Sequence, residues 1–241
     1  MTIDPKELAE SGVLLVDKPE AWTSHDVVNC IRRRFGVRKV GHCGTLDPAA
    51  TGLLVIVLGK ATRLSDKLSG QDKSYAGTLR LGVETFSEDR DSEVTATADT
   101  SQVTAVAVEA AAARFVGTIE QVPPMVSAVK VQGRPLYKLA RQGKTIAREA
   151  RTLTIHSLKL TRIAIPDVDF EICCSKGTYV RTICADIGRI LGCGAYLHCL
   201  RRLRSGRFSV EGAATMDEIK SWEREQLLAR MIPLAQLFGY L

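Results

Sequence analysis

The sequence predicts an α+β domain on a mixed or antiparallel sheet, and three observations carry that reading. "SYAGTLRLG" (74–82) alternates with a period of two. Tyr75, Gly77, Leu79 and Leu81 fall on one face and Ser74, Ala76, Thr78 and Arg80 on the other, the mark of a strand with unlike faces. "TYVRTICADIGRILG" (178–192) instead sets Val180, Ile183, Cys184, Ile187, Ile190 and Leu191 in one helical stripe. Strands and a few helices mingle along the chain, with neither a Rossmann glycine fingerprint nor a Walker A loop.

Taken in order, "GVLLVDKP" (12–19) reads as a buried strand stopped by proline. "TSHDVVNCIRRRFG" (23–36) reads as a helix. Thr23 or Ser24 caps it, Val27, Val28, Ile31 and Phe35 form its apolar face, and Gly36 ends it. Residues 53–58 form a central strand. Residues 84–103 are acidic and threonine-rich and read as an exposed connection. An alanine-rich helix follows at about 104–116, ended by Gly117. Residues 122–151 combine turns with basic residues and read as an inserted arm. Strands return at about 152–163 and 168–174, and the last stretch is mostly helical.

The chain has 241 residues, 45% hydrophobic and 25% charged, the profile of a globular protein able to bury a core without staples. No segment reaches the roughly 18 apolar residues that span a membrane. The polar N-terminus "MTIDPKELAE" is no signal peptide, so the expected compartment is the cytoplasm. Seven cysteines form no C-x-x-C pair, which argues for reduced thiols and against a zinc site. The net charge is +6 and basic residues cluster at 31–40, 137–151 and 200–207, a distribution that suits a polyanionic partner.

"GHCGTLDPAATGLLVIVLG" (41–59) sets one carboxylate, Asp47, in a tight turn before an uncharged run. An Asp-Pro pair commonly caps a turn. Gly41 and Gly44 let backbone pass close to another object, and His42 offers a ring that can stack. With Thr178 as the N-cap, Arg181 falls at the third helical position, where the helix dipole disfavours a cation. It therefore wants an anion: solvent counter-ions, a phosphate, or a carboxylate such as Asp47. A paired, ionised, oriented carboxylate is a plausible nucleophile. Lys73 and Tyr75 share a strand face, which suits a nucleotide, with ring on base and ammonium on phosphate. Tyr179 beside Arg181 has the same two readings, core or base platform. No Ser/His/Asp signature stands out.

These segments resemble the TruB-type tRNA pseudouridine synthases nearly end to end. The motifs are "GVLLVDKP" with "WTSHDVV", "GHCGTLDPAATGLL", "KSYAGTLRLG", "VPPMVSAVKVQGRPLYKLARQG", "CSKGTYVRTICADIG" and "LRRLRSGRF". The resemblance implies the pseudouridine synthase fold: a mixed, mostly antiparallel central sheet flanked by helices. One catalytic domain would span 1–241, with a thumb-like RNA-binding insertion at about 121–151 and no complete C-terminal PUA module. It implies conversion of uridine 55 in the tRNA T-loop to pseudouridine. Asp47 would be the nucleophile, paired with Arg181. Tyr75 would stack on the target base and assist proton removal. His42 would occupy the space left by flipped bases, and Tyr179 and Leu200 would line the uracil pocket. Lys73 would serve the substrate, and Lys130, Arg141, Lys144, Arg151 and Arg202 would bind RNA.

The reaction exchanges a C1′–N1 bond for a C1′–C5 bond with no net change in atoms, so no cofactor or metal is expected. The expected partner is the tRNA T-stem-loop, the expected state a monomer. Ala21 stands where many relatives have Gly, and Val126 where the family usually has Tyr. Two other classes compete. One is a tRNA-binding folding chaperone with catalysis dispensable. The other is a carbohydrate-acting enzyme, which needs a second flanking carboxylate; Asp72 and Asp186 are the near candidates.

Overall fold

The computed structural model describes residues 10–127, 129–131, 133–140 and 142–240. In chain order its elements begin with β1 (Gly12–Lys18), α1 (Ser24–Phe35), β2 (Val40–His42), β3 (Thr51–Leu58), α2 (Ser65–Ser69) and β4 (Lys73–Leu81). Then come β5 (Val83–Thr85), β6 (Val94–Thr97), α3 (Ala105–Ala113), β7 (Gly117–Gln121), β8 (Lys130–Val131), β9 (Arg134–Pro135) and α4 (Leu136–Ala140). The chain continues through β10 (Arg151–Ala164), β11 (Asp167–Cys174), α5 (Val180–Leu191) and β12 (Ala195–Ser205). It closes with β13 (Phe208–Ser209), β14 (Ala214–Thr215), α6 (Met216–Ser221), α7 (Arg224–Arg230) and β15 (Ile232–Pro233). The chain divides into two compact units. One holds both chain ends, up to Tyr75 and from Leu200 onward, and the other is the continuous stretch Ala76–Cys199.

In the first unit the strand order is β14–β1–β3–β12. β1 runs antiparallel to β3, from Gly12 opposite Leu58 to Lys18 opposite Gly52. β14 lies parallel on its other side. β2 pairs antiparallel with β3, and β12 lies parallel to it with Arg202 opposite Gly52. The run Leu53–Leu58 is buried throughout, as an apolar stretch without alternation requires when both faces are covered. Val13, Leu53, Val55, Val57, Leu68, Phe208 and Leu237 form one cluster. Thr23 caps α1 and Asp26 completes the capping box, while Gly36 ends the helix at φ +64°. Arg34 pairs with Glu223 at 2.9 Å, and Arg224 donates to the Phe35 carbonyl at 2.6 Å, fastening the C-terminal helices to α1.

In the second unit the order is β4–β11–β10–β7. β10 runs antiparallel to β11, and to β7 from Arg151 opposite Gln121 to Ile155 opposite Gly117. With the two parallel pairings of the first unit, the sheet is mixed and mostly antiparallel, as expected. Val180, Ile183, Cys184 and Ile187 of α5 are buried against Leu79, Phe170 and Ile172.

Three expectations need correction. Residues 84–103 are not simply an exposed connection: β5 and β6 pair antiparallel, and Thr85, Ser87 and Asp89 are buried. α3 stops at Ala113, short of Gly117, which opens β7 at φ +107°. The N-cap of α5 is Tyr179, not Thr178; the Thr178 hydroxyl donates to the Ser175 carbonyl at 2.9 Å instead. The expected arm carries the β8–β9 hairpin and α4. No helix among the described residues is long and apolar enough to cross a membrane.

Candidate active site

The turn that carries Asp47 joins β2 to β3 in the first unit and is held from several directions. Ala50 N–H donates to the Asp47 carbonyl at 3.1 Å. The Ser24 hydroxyl accepts from Leu46 N–H at 2.9 Å and donates back to the Leu46 carbonyl at 3.1 Å. Beneath the turn lies Lys18, with no exposed surface. Its ammonium donates to the carbonyls of Trp22 at 2.6 Å, Pro19 at 2.8 Å and Pro48 at 3.2 Å, which uses all three donors. Burial lowers the Lys18 pKa to about 8, with the Asp47 carboxylate the leading influence in the opposite direction. Ala21 N–H also reaches the Pro48 carbonyl, at 3.0 Å. Ala21 adopts φ +65°, a left-handed backbone that suits glycine better than alanine.

Arg202 anchors the other side of the turn. It is 1% exposed. Its Nε donates to the Leu53 carbonyl at 2.6 Å and its Nη2 to the Gly44 carbonyl at 3.0 Å. Gly44 sits at φ +91°, and a Cβ there would stand 3.3 Å from Lys73 Cε and 3.4 Å from Arg202 Nη1. The left-handed backbone thus calls for glycine, and a Cβ would be tight there as well.

This geometry revises two expectations. Arg202 was expected to bind RNA and Lys73 to meet a phosphate, yet both are buried with their charges on backbone carbonyls. Lys73 is 7% exposed and its ammonium donates to Gln71 O at 2.6 Å and Ser69 O at 2.9 Å. Long cationic side chains can run inward when carbonyls satisfy the head group. In this structure Arg202 braces the turn, while Lys73 holds the connection between α2 and β4.

The remaining first-unit candidates stand as follows. His42 is half-buried on β2, and its Nδ1 finds no hydrogen-bond partner among the described residues. Burial, then the charges of Arg202 and His25, lower its pKa and favour a neutral ring. Tyr75 is buried on the same β4 face as Lys73 and Leu79. Leu200 is half-buried on β12.

The second unit holds the rest. Arg181 lies in the first turn of α5 and is 3% exposed. Its Nη1 meets Asp89 Oδ2 at 3.4 Å, its Nη2 donates to the Val126 carbonyl, and its guanidinium lies 5.5 Å from the centre of the Tyr179 ring. Asp89 is itself fixed: Oδ1 accepts from the Ser87 hydroxyl at 2.5 Å and from Asp91 N–H at 3.1 Å. Its neighbour Glu88 accepts from the Thr182 hydroxyl at 2.5 Å, and burial raises the Glu88 pKa. Lys144 and Arg151 are exposed. Lys130 is placed as backbone in β8, and Arg141 lies outside the described residues. Of the second carboxylates considered, Asp72 is exposed and Asp186 pairs with Arg189 along α5. Among the described residues no group of three or more His, Cys, Asp or Glu could hold a metal.

Sequence reasoning missed Lys18 and Asp89. A lysine directly after an apolar strand and before proline is the local trace of the first. The second is one acid among several, and nothing local singles it out.

Residues 32–180 match the TruB family pseudouridylate synthase (N terminal domain), and residues 181–238 the tRNA pseudouridylate synthase B C-terminal domain. The chain belongs to the TruB family. It is 49% identical over 231 residues to tRNA pseudouridine synthase B of Opitutus terrae, covering 96% of this chain and 95% of the relative. It is 48% identical over 226 residues to the Syntrophotalea carbinolica protein of the same name, covering 94% and 74%. Among solved structures, "Crystal Structure of a Cbf5-Nop10-Gar1 Complex" matches at TM-score 0.77 and 29% identity, over 99% of this chain and 65% of that one. "Structure of H/ACA RNP bound to a substrate RNA containing 2'-deoxyuridine" matches at TM-score 0.72 and 26% identity, over 98% and 63%. The chain thus spans just under two thirds of these solved relatives. As a TruB-family member it is an isomerase of tRNA pseudouridine synthesis, and its fold is that of the pseudouridine synthases.

Proposed function

We propose that this TruB-family isomerase acts on uridine 55 in the T-loop of tRNA, with Asp47 as the nucleophile. The observation that carries the reading is the fixing of the Asp47 turn. Two buried cations, Lys18 and Arg202, hold its backbone through Pro48 and Gly44. Two cations are costly to bury for a mere surface turn. The arrangement makes sense if the carboxylate that this turn carries must be held ionised and aimed.

The chemistry assigns the other roles. The C1′–N1 bond breaks, the base turns, a C1′–C5 bond forms, the C5 proton leaves and N1 gains one. Asp47 adds covalently or assists glycosidic cleavage. Arg181 pairs with Asp47, Tyr75 stacks on the base and assists loss of the C5 proton, and Tyr179 and Leu200 line the uracil pocket. The base must first leave its stack, at a cost of a few kcal/mol. His42, with a neutral ring, fills the gap this leaves in the T-loop. The arm at about 121–151 grips the RNA backbone through Lys130, Arg141, Lys144 and Arg151. The chain works as one catalytic domain and as a monomer, on tRNA in the cytoplasm.

The test is tritium release from a T-stem-loop RNA labelled at uracil C5, with wild type and Asp47→Asn side by side. Release by wild type alone supports both the substrate and the role of Asp47. Full activity in Asp47→Asn removes the nucleophile. Tight binding without release by wild type favours the folding-chaperone reading.

A further inference from the structure

Gln121 is the last residue of β7 and is 4% exposed. Both ends of its carboxamide are engaged on one distant residue: Oε1 accepts from Tyr179 N–H at 2.8 Å, and Nε2 donates to the Tyr179 carbonyl at 3.1 Å. Only one amide orientation satisfies this pair, because the flipped one would set donor against donor. Tyr179 is the N-cap of α5, and its own side chain makes no capping bond. Its carbonyl also accepts from Ile183 N–H at 3.3 Å. The external amide therefore sits where the helix closes its first turn, the turn that carries Arg181.

Gln121 also marks the root of the arm. It lies opposite Arg151 at the end of the β7–β10 register, and the arm departs between the two. Shortly after Gln121, the Val126 carbonyl accepts from Arg181. The departing strand is thus fastened to the start of α5 at two points, one through the backbone of Tyr179 and one through the guanidinium of Arg181.

We infer that Gln121 is a positioning residue for the isomerisation. It acts through Tyr179 to set the ring and the first turn of α5 against the root of the arm, so that gripping the RNA and presenting Tyr179 and Arg181 are one event. The inference rests on the reading of Tyr179 and Arg181 as uridine-site residues. Removing the amide leaves a part-buried N–H without its acceptor, and local rearrangement of Tyr179 relieves that cost.

Single-turnover conversion of the T-stem-loop RNA is the test, run on wild type, Gln121→Met and Gln121→Glu with binding and thermal melting measured alongside. Gln121→Met keeps the length of the side chain and removes both polar ends. Its chemical step should slow about tenfold or more, in line with one part-buried group left unpaired, while the RNA Kd stays within about twofold, since no phosphate contact is lost. Gln121→Glu keeps the acceptor, and its carboxyl becomes a donor only when protonated. Its rate relative to wild type should therefore recover as the pH is lowered toward 5. A wild-type rate in Gln121→Met overturns the inference and leaves the substrate reading intact. A loss that only tracks melting or RNA affinity, with no pH recovery in Gln121→Glu, makes Gln121 merely structural and overturns it too. Absence of turnover in wild type brings down the substrate reading, and this inference with it.

Discussion

Arg202 Nη2 donates to the Gly44 carbonyl at 3.0 Å, in the turn that leads to Asp47. The same guanidinium holds the first residue of the buried run of β3 through Leu53 at 2.6 Å. One buried cation thus ties the turn to the strand that follows it. Arg202→Met should slow turnover sharply while RNA affinity and its salt dependence stay near wild type. Filter binding across a salt series, beside single-turnover rates, checks this. A lower salt slope in Arg202→Met would return the residue to the phosphate-binding set.

Arg151 should behave in the opposite way. It is exposed at the root of the arm, so Arg151→Ala should weaken RNA binding and lower the salt slope by up to about one unit. The rate at saturating RNA should change little. An unchanged slope removes Arg151 from the set of phosphate contacts.

Asp89 should matter through Arg181. Asp89→Asn removes the charge that faces Nη1 of a buried guanidinium. The expected result is a loss of about tenfold or more in the chemical step, and one that does not add to the loss in Arg181→Lys, because the two residues act as a unit. A double-mutant cycle on the single-turnover rate decides. Additive losses would separate the two residues.

Lys18 predicts a pH signature. Burial lowers its folded pKa to about 8, against about 10.4 for a free lysine. Between these values the unfolded chain binds more protons than the fold, so stability rises with pH across that window. Below pH about 8 both states hold the proton and the full cost of burying the charge is present. The difference in urea unfolding free energy between wild type and Lys18→Met should therefore move in favour of wild type from pH 8 to 10.5. A flat difference would show that Lys18 titrates normally.

Much of the fold was legible because its causes are local. α1 declared itself through Thr23, its apolar stripe and Gly36, all within one stretch of chain. The alternation that opens β4 and the uncharged run of β3 likewise set their own burial. Several of the errors share a different cause, a partner far along the chain. Asp89 sits in an acidic stretch that reads as solvated, but its partner Arg181 comes from another element. Tyr179 has no capping side chain, and its cap arrives from Gln121. Lys73 and Arg202 looked like surface cations because charge alone suggests solvent, whereas the carbonyls that hold them, Ser69 and Gln71 for the one and Gly44 and Leu53 for the other, become visible only once the backbone is folded. In the candidate site, residue types were readable, while the direction of each cation was not.

The division of the chain has a consequence for its birth on the ribosome. The unit formed by Ala76–Cys199 is continuous and can complete itself while synthesis proceeds. The unit that holds Asp47 cannot, for it closes only when the segment from Leu200 onward returns to residues made much earlier. Arg202, which ties the Asp47 turn to β3, lies in that late segment. A nascent chain halted before it would display the arm and the Tyr179–Arg181 end of α5 without a braced aspartate. The order of synthesis therefore leaves the Asp47 turn unbraced until the segment from Leu200 onward has emerged.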